Sequence, residues 1–126
     1  MTKAKWLQKA DRDDYLCAAE FLCLLANDAD ARAMVKALKN AKTQTKKTRD
    51  ILRASGLPLL SADDANVREH MTQLRHGETL SPVLLVRGDF IAGAPLTIAD
   101  GYHRVCAAHL MDDDAEVCCK VISFPG

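Results

Sequence analysis

The residues best placed to do chemistry lie together at Asp100-Gly101-Tyr102-His103-Arg104. An apolar run (Leu96, Ile98, Ala99) stops there, and a helical rhythm (Val105, Ala107, Ala108, Leu110) starts. A helix that begins at such a corner presents unpaired backbone N–H groups and a partial positive charge. Gly101 allows a sharp turn and a close approach to the backbone. Arg104 adds a planar fork of donors matched to phosphate, and His103 adds another donor. The combination makes a phosphate cradle. Asp100 has two readings that do not exclude each other. As an N-cap it accepts backbone N–H bonds. As a functional group it holds Mg²⁺ beside phosphates or takes the proton of an attacking hydroxyl. Ser81, just before Pro82 at the mouth of a strand, could face the same site.

A second constellation is basic. Between residues 36 and 53 stand Lys36, Lys39, Lys42, Lys46, Lys47, Arg49 and Arg53, opposed only by Asp50; seven cations less one acid leave a local charge of +6. One reading is a phosphate-contacting patch for nucleic acid, centred on Lys42, Lys46, Lys47, Arg49 and Arg53. The other is a solvated segment whose cations complement a helix C-terminus. No aromatic residue interleaves with the cations, which argues against a single-strand-binding surface.

Metal chemistry finds little support. His103 and His109 are six residues apart and do not share a helix face. Cys118 and Cys119 are adjacent on an expected strand and point to opposite sides. No C-x-x-C pair exists. Ser55, Ser61 and Ser81 lack a nucleophile-elbow context.

The elements that must position these groups follow from periodicity and punctuation. Residues 13–26 read as a helix capped by Asp13 or Asp14, with Tyr15, Leu16, Ala19, Leu22 and Cys23 as its apolar face. Residues 30–41 read as a second helix with Ala33, Met34, Ala37, Leu38 and Ala41 as its stripe, antiparallel to the first through a turn at Asn27-Asp28. The polar stretch 42–48 reads as a loop and 49–56 as a short helix ended by Gly56. Residues 61–77 form a helix with Ser61 as N-cap, Asp64 completing a capping box, and Gly77 as its end. The continuous apolar run 80–88 is a buried strand. A second strand spans 95–100, and a turn-rich spacer (88–93) separates the two. A helix over 102–111 and a closing strand over 116–124 complete the chain, with 111–116 as the turn between them.

The order helix, strand, strand, helix, strand in the second half, carried by LSPVLLVRG, LTIADGYHRVCAAHLMD and VCCKVI, resembles the ParB/sulfiredoxin-like domain over residues 57–124. The resemblance implies an α+β fold: a small mixed sheet with flanking helices, here preceded by a helical extension over residues 1–56, the two forming one compact unit. It also implies that Gly101, His103 and Arg104 contact nucleotide phosphates. A kinase of free amino acids on this fold carries a similar Asp-Gly-x-x-Arg turn, which implies phosphoryl transfer or nucleotide hydrolysis. A nucleoside di- or triphosphate with Mg²⁺ is then the implied cofactor pair, with Asp100 and His103 as the catalytic candidates. One position departs from the pattern. Tyr102 stands where sulfiredoxins carry their reactive cysteine, so sulfiredoxin chemistry is not implied. Tyr102 either stacks on a base or packs at the turn. No segment matches the DNA-binding helix-turn-helix of ParB.

Composition sets the outer limits. The 126 residues carry 17 cationic and 17 anionic side chains, so the whole chain does not advertise a polyanionic partner. Apolar residues make up 48 %, enough for a core, and aromatics only 5 %, so aliphatic side chains must fill it. Five cysteines, an odd number without framework spacing, read as reduced thiols. No apolar stretch is long enough to span a membrane, and the N-terminus lacks a signal-peptide core. The expectation is a cytoplasmic, nucleotide- or phosphate-binding protein with no membrane partner and with scope to oligomerise. The alternative is a non-enzymatic DNA-associated protein that uses the basic segment. A third reading is an interaction domain whose phosphate site is inactive.

Overall fold

A computed structural model describes residues 5–7 and 9–124. Six strands and five helices follow in the order β1 (Lys5–Trp6), α1 (Arg12–Leu22), α2 (Asp28–Asn40), β2 (Thr43–Lys47), α3 (Thr48–Ser55), α4 (Ala65–Arg75), β3 (Thr79–Leu80), β4 (Val83–Val86), β5 (Thr97–Asp100), α5 (Tyr102–Met111) and β6 (Glu116–Ile122). The class is α+β. Four strands form one mixed sheet in the order β2-β6-β4-β5, and β1 pairs with β3 in a separate two-stranded ribbon. Within the main sheet β4 runs parallel to β6, while β2 on β6 and β5 on β4 are antiparallel.

The sheet is covered on both faces, which is why β4 reads as an uninterrupted apolar run. Its alternate residues part cleanly. Val83 and Leu85 join Ile51, Val67, Met71, Leu74, Val105, Val117 and Cys119 on the side of α3, α4 and α5. Leu84 and Val86 join Ala18, Leu22, Met34, Leu38, Ala99 and Ile122 on the side of α1 and α2. Lys120 also faces α2, and it is buried. Its ammonium group donates to the Lys39 carbonyl at 3.2 Å, in the last turn of α2, and lies 5.8 Å from the centre of the Tyr15 ring.

Several expectations change here. Residues 43–47 form an edge strand rather than a loop, paired over five positions with β6. A polar edge strand gives no apolar signal, and lysines are the usual guard of such an edge. The first 56 residues are therefore not wholly helical, and they supply a strand of the sheet that the rest of the chain builds. The apolar run breaks at Ser81-Pro82 into β3 and β4, because Pro82 has no N–H to give a ladder. Asp11, not Asp13 or Asp14, starts α1, with Asp14 closing its capping box. Leu16 and Cys23 point outward, and Ala18 and Leu22 are the buried positions of that helix. In α2 the buried residues are Ala31, Met34 and Leu38, and Ala33 is exposed. Asp64 rather than Ser61 caps α4, its carboxylate accepting from the Asn66 and Val67 N–H groups. Gly56 ends α3 in the left-handed region, as read from the sequence. Among the described residues, no helix is long and apolar enough to cross a membrane.

Candidate functional site

The corner between β5 and α5 is built by a bulge. Leu84 faces Asp100 while Leu85 faces Ile98, so Ala99 is an extra residue on β5. A bulge of this kind re-aims the side chains next to it. Asp100 thereby turns toward α1, the face that Ala99 and Leu84 also occupy. Gly101 then takes φ +109°, a conformation that suits glycine. It is Gly101, not Asp100, that occupies the N-cap position of α5, so no side chain caps this helix. The first N–H groups of α5 are left without the acceptor that Asp64 provides for α4.

Arg104 follows one turn later and folds back beneath the corner. Its side chain is only 10 % exposed. Nη2 donates to Asp100 Oδ2 at 3.1 Å and to the Pro82 carbonyl at 3.1 Å. Nη1 lies 3.7 Å from Asp14 Oδ1 on α1. Nε is buried with no hydrogen-bond partner among the described residues. One guanidinium thus clamps the end of β5, the start of β4, α5 and α1. Both Nη2 donors are spent on the protein and the side chain is buried, so Arg104 acts on a ligand through the turn it holds rather than by a fork reaching outward.

Two carboxylates share this one cation in a mostly buried corner. Burial pushes the Asp100 carboxyl up to about 6; Arg104 lowers it by charge and hydrogen bond, and Asp14 raises it again. In the unfolded chain the same group ionises at about 4. Between those values the folded protein binds more protons than the unfolded one, so stability falls as pH rises from about 4 to about 6. We expect urea unfolding to show a higher midpoint at about pH 5 than at about pH 7, with Asp100→Asn flattening the difference. A wild type that gains stability steadily over that interval would contradict the assignment. Asp114, whose carboxyl Lys47 holds below the usual range, responds only at lower pH and does not mask the effect.

His103 is the exposed member of the turn. Its side chain is 40 % exposed, and Nε2 lies 3.9 Å from Asp64 Oδ1 at the start of α4. The N-termini of α4 and α5 therefore approach each other, one capped by a carboxylate and one not. Tyr102 packs against the core, and its hydroxyl donates to the Pro58 carbonyl. That bond engages the hydroxyl and places the ring in packing rather than in open stacking. Ser81 donates to Asp11 Oδ2 at 3.3 Å, at the start of α1. Cys17, one turn along α1 from Asp14, has its thiol pushed up by burial and then by Asp100, the opposite of an activated thiolate.

The structure therefore brings Asp100, Gly101, His103 and Arg104 to one corner, as the sequence suggested. It adds Asp14 and Asp64, which the sequence offered only as helix-capping residues. The Asp100-to-Arg104 spacing of four was a legible pair; Asp14 lies 90 positions from Arg104 and carries no local signal. Asp100 Oδ2 is given to Arg104, so a Mg²⁺ ion there would compete with the guanidinium. Among the described residues no group of three or more His, Cys, Asp or Glu side chains could hold a metal ion.

The basic segment is divided. Lys47 and Arg49 both reach Asp114 Oδ1, at 2.6 and 3.2 Å. Lys42, Lys46 and Arg53 are exposed. Two of the five cations proposed for DNA are thus engaged within the fold, on the strand edge and the first turn of α3. No family model, no curated protein and no solved structure matches this chain.

Proposed function

We propose that the chain is a phosphate-binding protein of the ParB/sulfiredoxin-like type that holds a nucleotide by its phosphates at the first turn of α5. The observation that carries this reading is the open N-terminus of α5. Gly101 supplies the left-handed corner, no side chain caps the helix, and half-exposed His103 stands beside it. Backbone N–H groups and His103 contact the phosphate. Arg104, buried below, fixes the corner through Asp100, Pro82 and Asp14 and contributes its charge from behind.

The negative groups around the corner set the conditions. Asp64 lies near His103, and Asp100 lies at the foot of the turn. An anion therefore binds best when Asp100 has taken up its proton, and affinity rises as pH falls through about 6. The reading is one of binding in the cytoplasm. Phosphoryl transfer would require Asp100 to leave Arg104, and no catalytic step is assigned.

A thermal-shift panel of inorganic phosphate, ADP, ATP, CTP and GTP, with and without Mg²⁺, tests the reading. A ligand at about a hundred times its Kd stabilises by ~2.7 kcal/mol, which raises Tm by roughly 10 °C for a domain this size. We expect at least one phosphate compound to raise Tm, and His103→Ala to remove most of the rise. No rise with any compound, or an equal rise in the variant, would overturn the proposal.

A further inference from the structure

At the opposite end of β5 from the candidate site, the chain carries a large apolar surface. Thr97, the first residue of that strand, lies in the wall of an open groove of about 660 Å³. Leu25, Met34, Val86, Phe90, Pro95 and Phe124 supply much of its lining. Beside the groove stands a knob, the turn that joins β4 to β5. Phe90 is 98 % and Ile91 95 % exposed at its tip.

The knob is braced. Asp89 N–H donates to the Ala94 carbonyl at 3.1 Å, and Ala94 N–H returns a bond to the Asp89 carbonyl at 2.9 Å. Gly88 brings the two limbs so close that a Cβ there would lie 2.2 Å from the Ala94 oxygen. Asp89 Oδ1 also accepts from the Ala92 N–H. Two large side chains are thus held out in water on a tight neck, at the cost in solvation that exposed apolar surface carries.

We propose that this surface is a two-fold interface between copies of this chain, in which the Phe90–Ile91 knob of each copy enters the groove of the other. Three observations favour a second copy over an unrelated partner. Knob and groove adjoin and share Phe90, so one rotation satisfies both sides at once, the requirement of an isologous interface. Charges flank the knob in self-complementary fashion: Arg87 and Asp89 have no ion-pair partner among the described residues, and a two-fold axis sets the cation of one copy against the anion of the other. The area is also sufficient. Phe90, Ile91, Leu25 (62 %) and Phe124 (51 %) expose on the order of 600 Å² of side chain, the area per partner at the lower end of specific interfaces.

Sedimentation equilibrium from about 5 to about 500 µM tests the proposal, a range that brackets a Kd on the order of tens of micromolar. We expect the wild type to reach twice the chain mass within that range. Phe90→Ser and Ile91→Ser should each weaken association at least ~10-fold, with unfolding midpoints unchanged at concentrations where the wild type is monomeric, since both side chains are exposed. Arg87→Glu and Asp89→Arg should each be monomeric alone and should pair when mixed, because only the mixed dimer sets opposite charges together. A wild type that stays monomeric throughout, whether or not it binds vesicles or another protein, overturns the proposal. So does a dimer that both serine variants leave intact.

Discussion

Arg104→Ala is expected to cost about 3–5 kcal/mol at pH 7, a large share of the stability of a domain this size. The reason is charge left behind rather than contact removed. Asp100 and Asp14 are 17 % and 15 % exposed, and without the guanidinium both face a dry corner with no cation. The Pro82 carbonyl loses its donor at the same time. For 126 residues such a loss lowers Tm by roughly 12–20 °C, measurable by calorimetry. The loss should be smaller at about pH 5 than at about pH 8, since protonated carboxyls tolerate the missing partner. Arg104→Lys should recover only part of it, because one ammonium cannot reproduce a planar fork that bonds two acceptors and faces a second carboxylate. A loss below about 1 kcal/mol, the range of exposed ion pairs, would show that the network is solvated and not the clamp described here.

Gly101→Ala ranks second, at about 2–4 kcal/mol. A φ of +109° is strained for any L side chain, typically by about 1–2 kcal/mol. The remainder is steric. The added Cβ would stand 2.9 Å from Arg104 Nη2 and 3.1 Å from both Val83 γ-methyls. Val83 is fully buried, and Nη2 is held by two acceptors, so neither gives way freely. Gly93→Ala is the matching control: its φ is +75°, and nothing lies within 4 Å of its added Cβ. It should show the backbone strain alone. The double variant with Arg104→Ala should cost less than the sum of the two single changes, because removing Nη2 opens the space the methyl needs. Strict additivity in urea unfolding would mean that Gly101 and Arg104 do not share one packed corner.

These expectations rest on groups that the sequence disclosed unevenly. The corner itself was legible: an apolar run, a glycine and a helical rhythm place His103 and Arg104 in the first turn of α5, and the structure puts them there. What the sequence misread is direction. Arg104 was expected to face an outside anion, and it turns inward because a β5 bulge delivers Asp100 to the same side and α1 brings Asp14. A bulge depends on register between two strands, which no single stretch of sequence contains. Strand β2 was missed for a related reason. Thr-Gln-Thr-Lys-Lys has no apolar alternation, and its pairing is specified by β6, 69 to 77 positions away. The caps moved by a few residues for local reasons, since Asp11 and Asp64 each compete with neighbouring Asp or Ser residues for one helix start. The buried faces of β4, by contrast, followed directly from a run too apolar to border water on either side.

The most direct test of phosphate binding at this corner is a two-dimensional amide NMR titration with inorganic phosphate and with ATP. Binding at the open helix start predicts progressive, saturable shifts of the Tyr102, His103 and Arg104 amides. The shifts should grow as pH is lowered from about 7 toward about 6, the pH at which Asp100 takes up its proton. Shifts scattered over Lys42, Lys46 and Arg53, with the α5 amides unmoved, would contradict it.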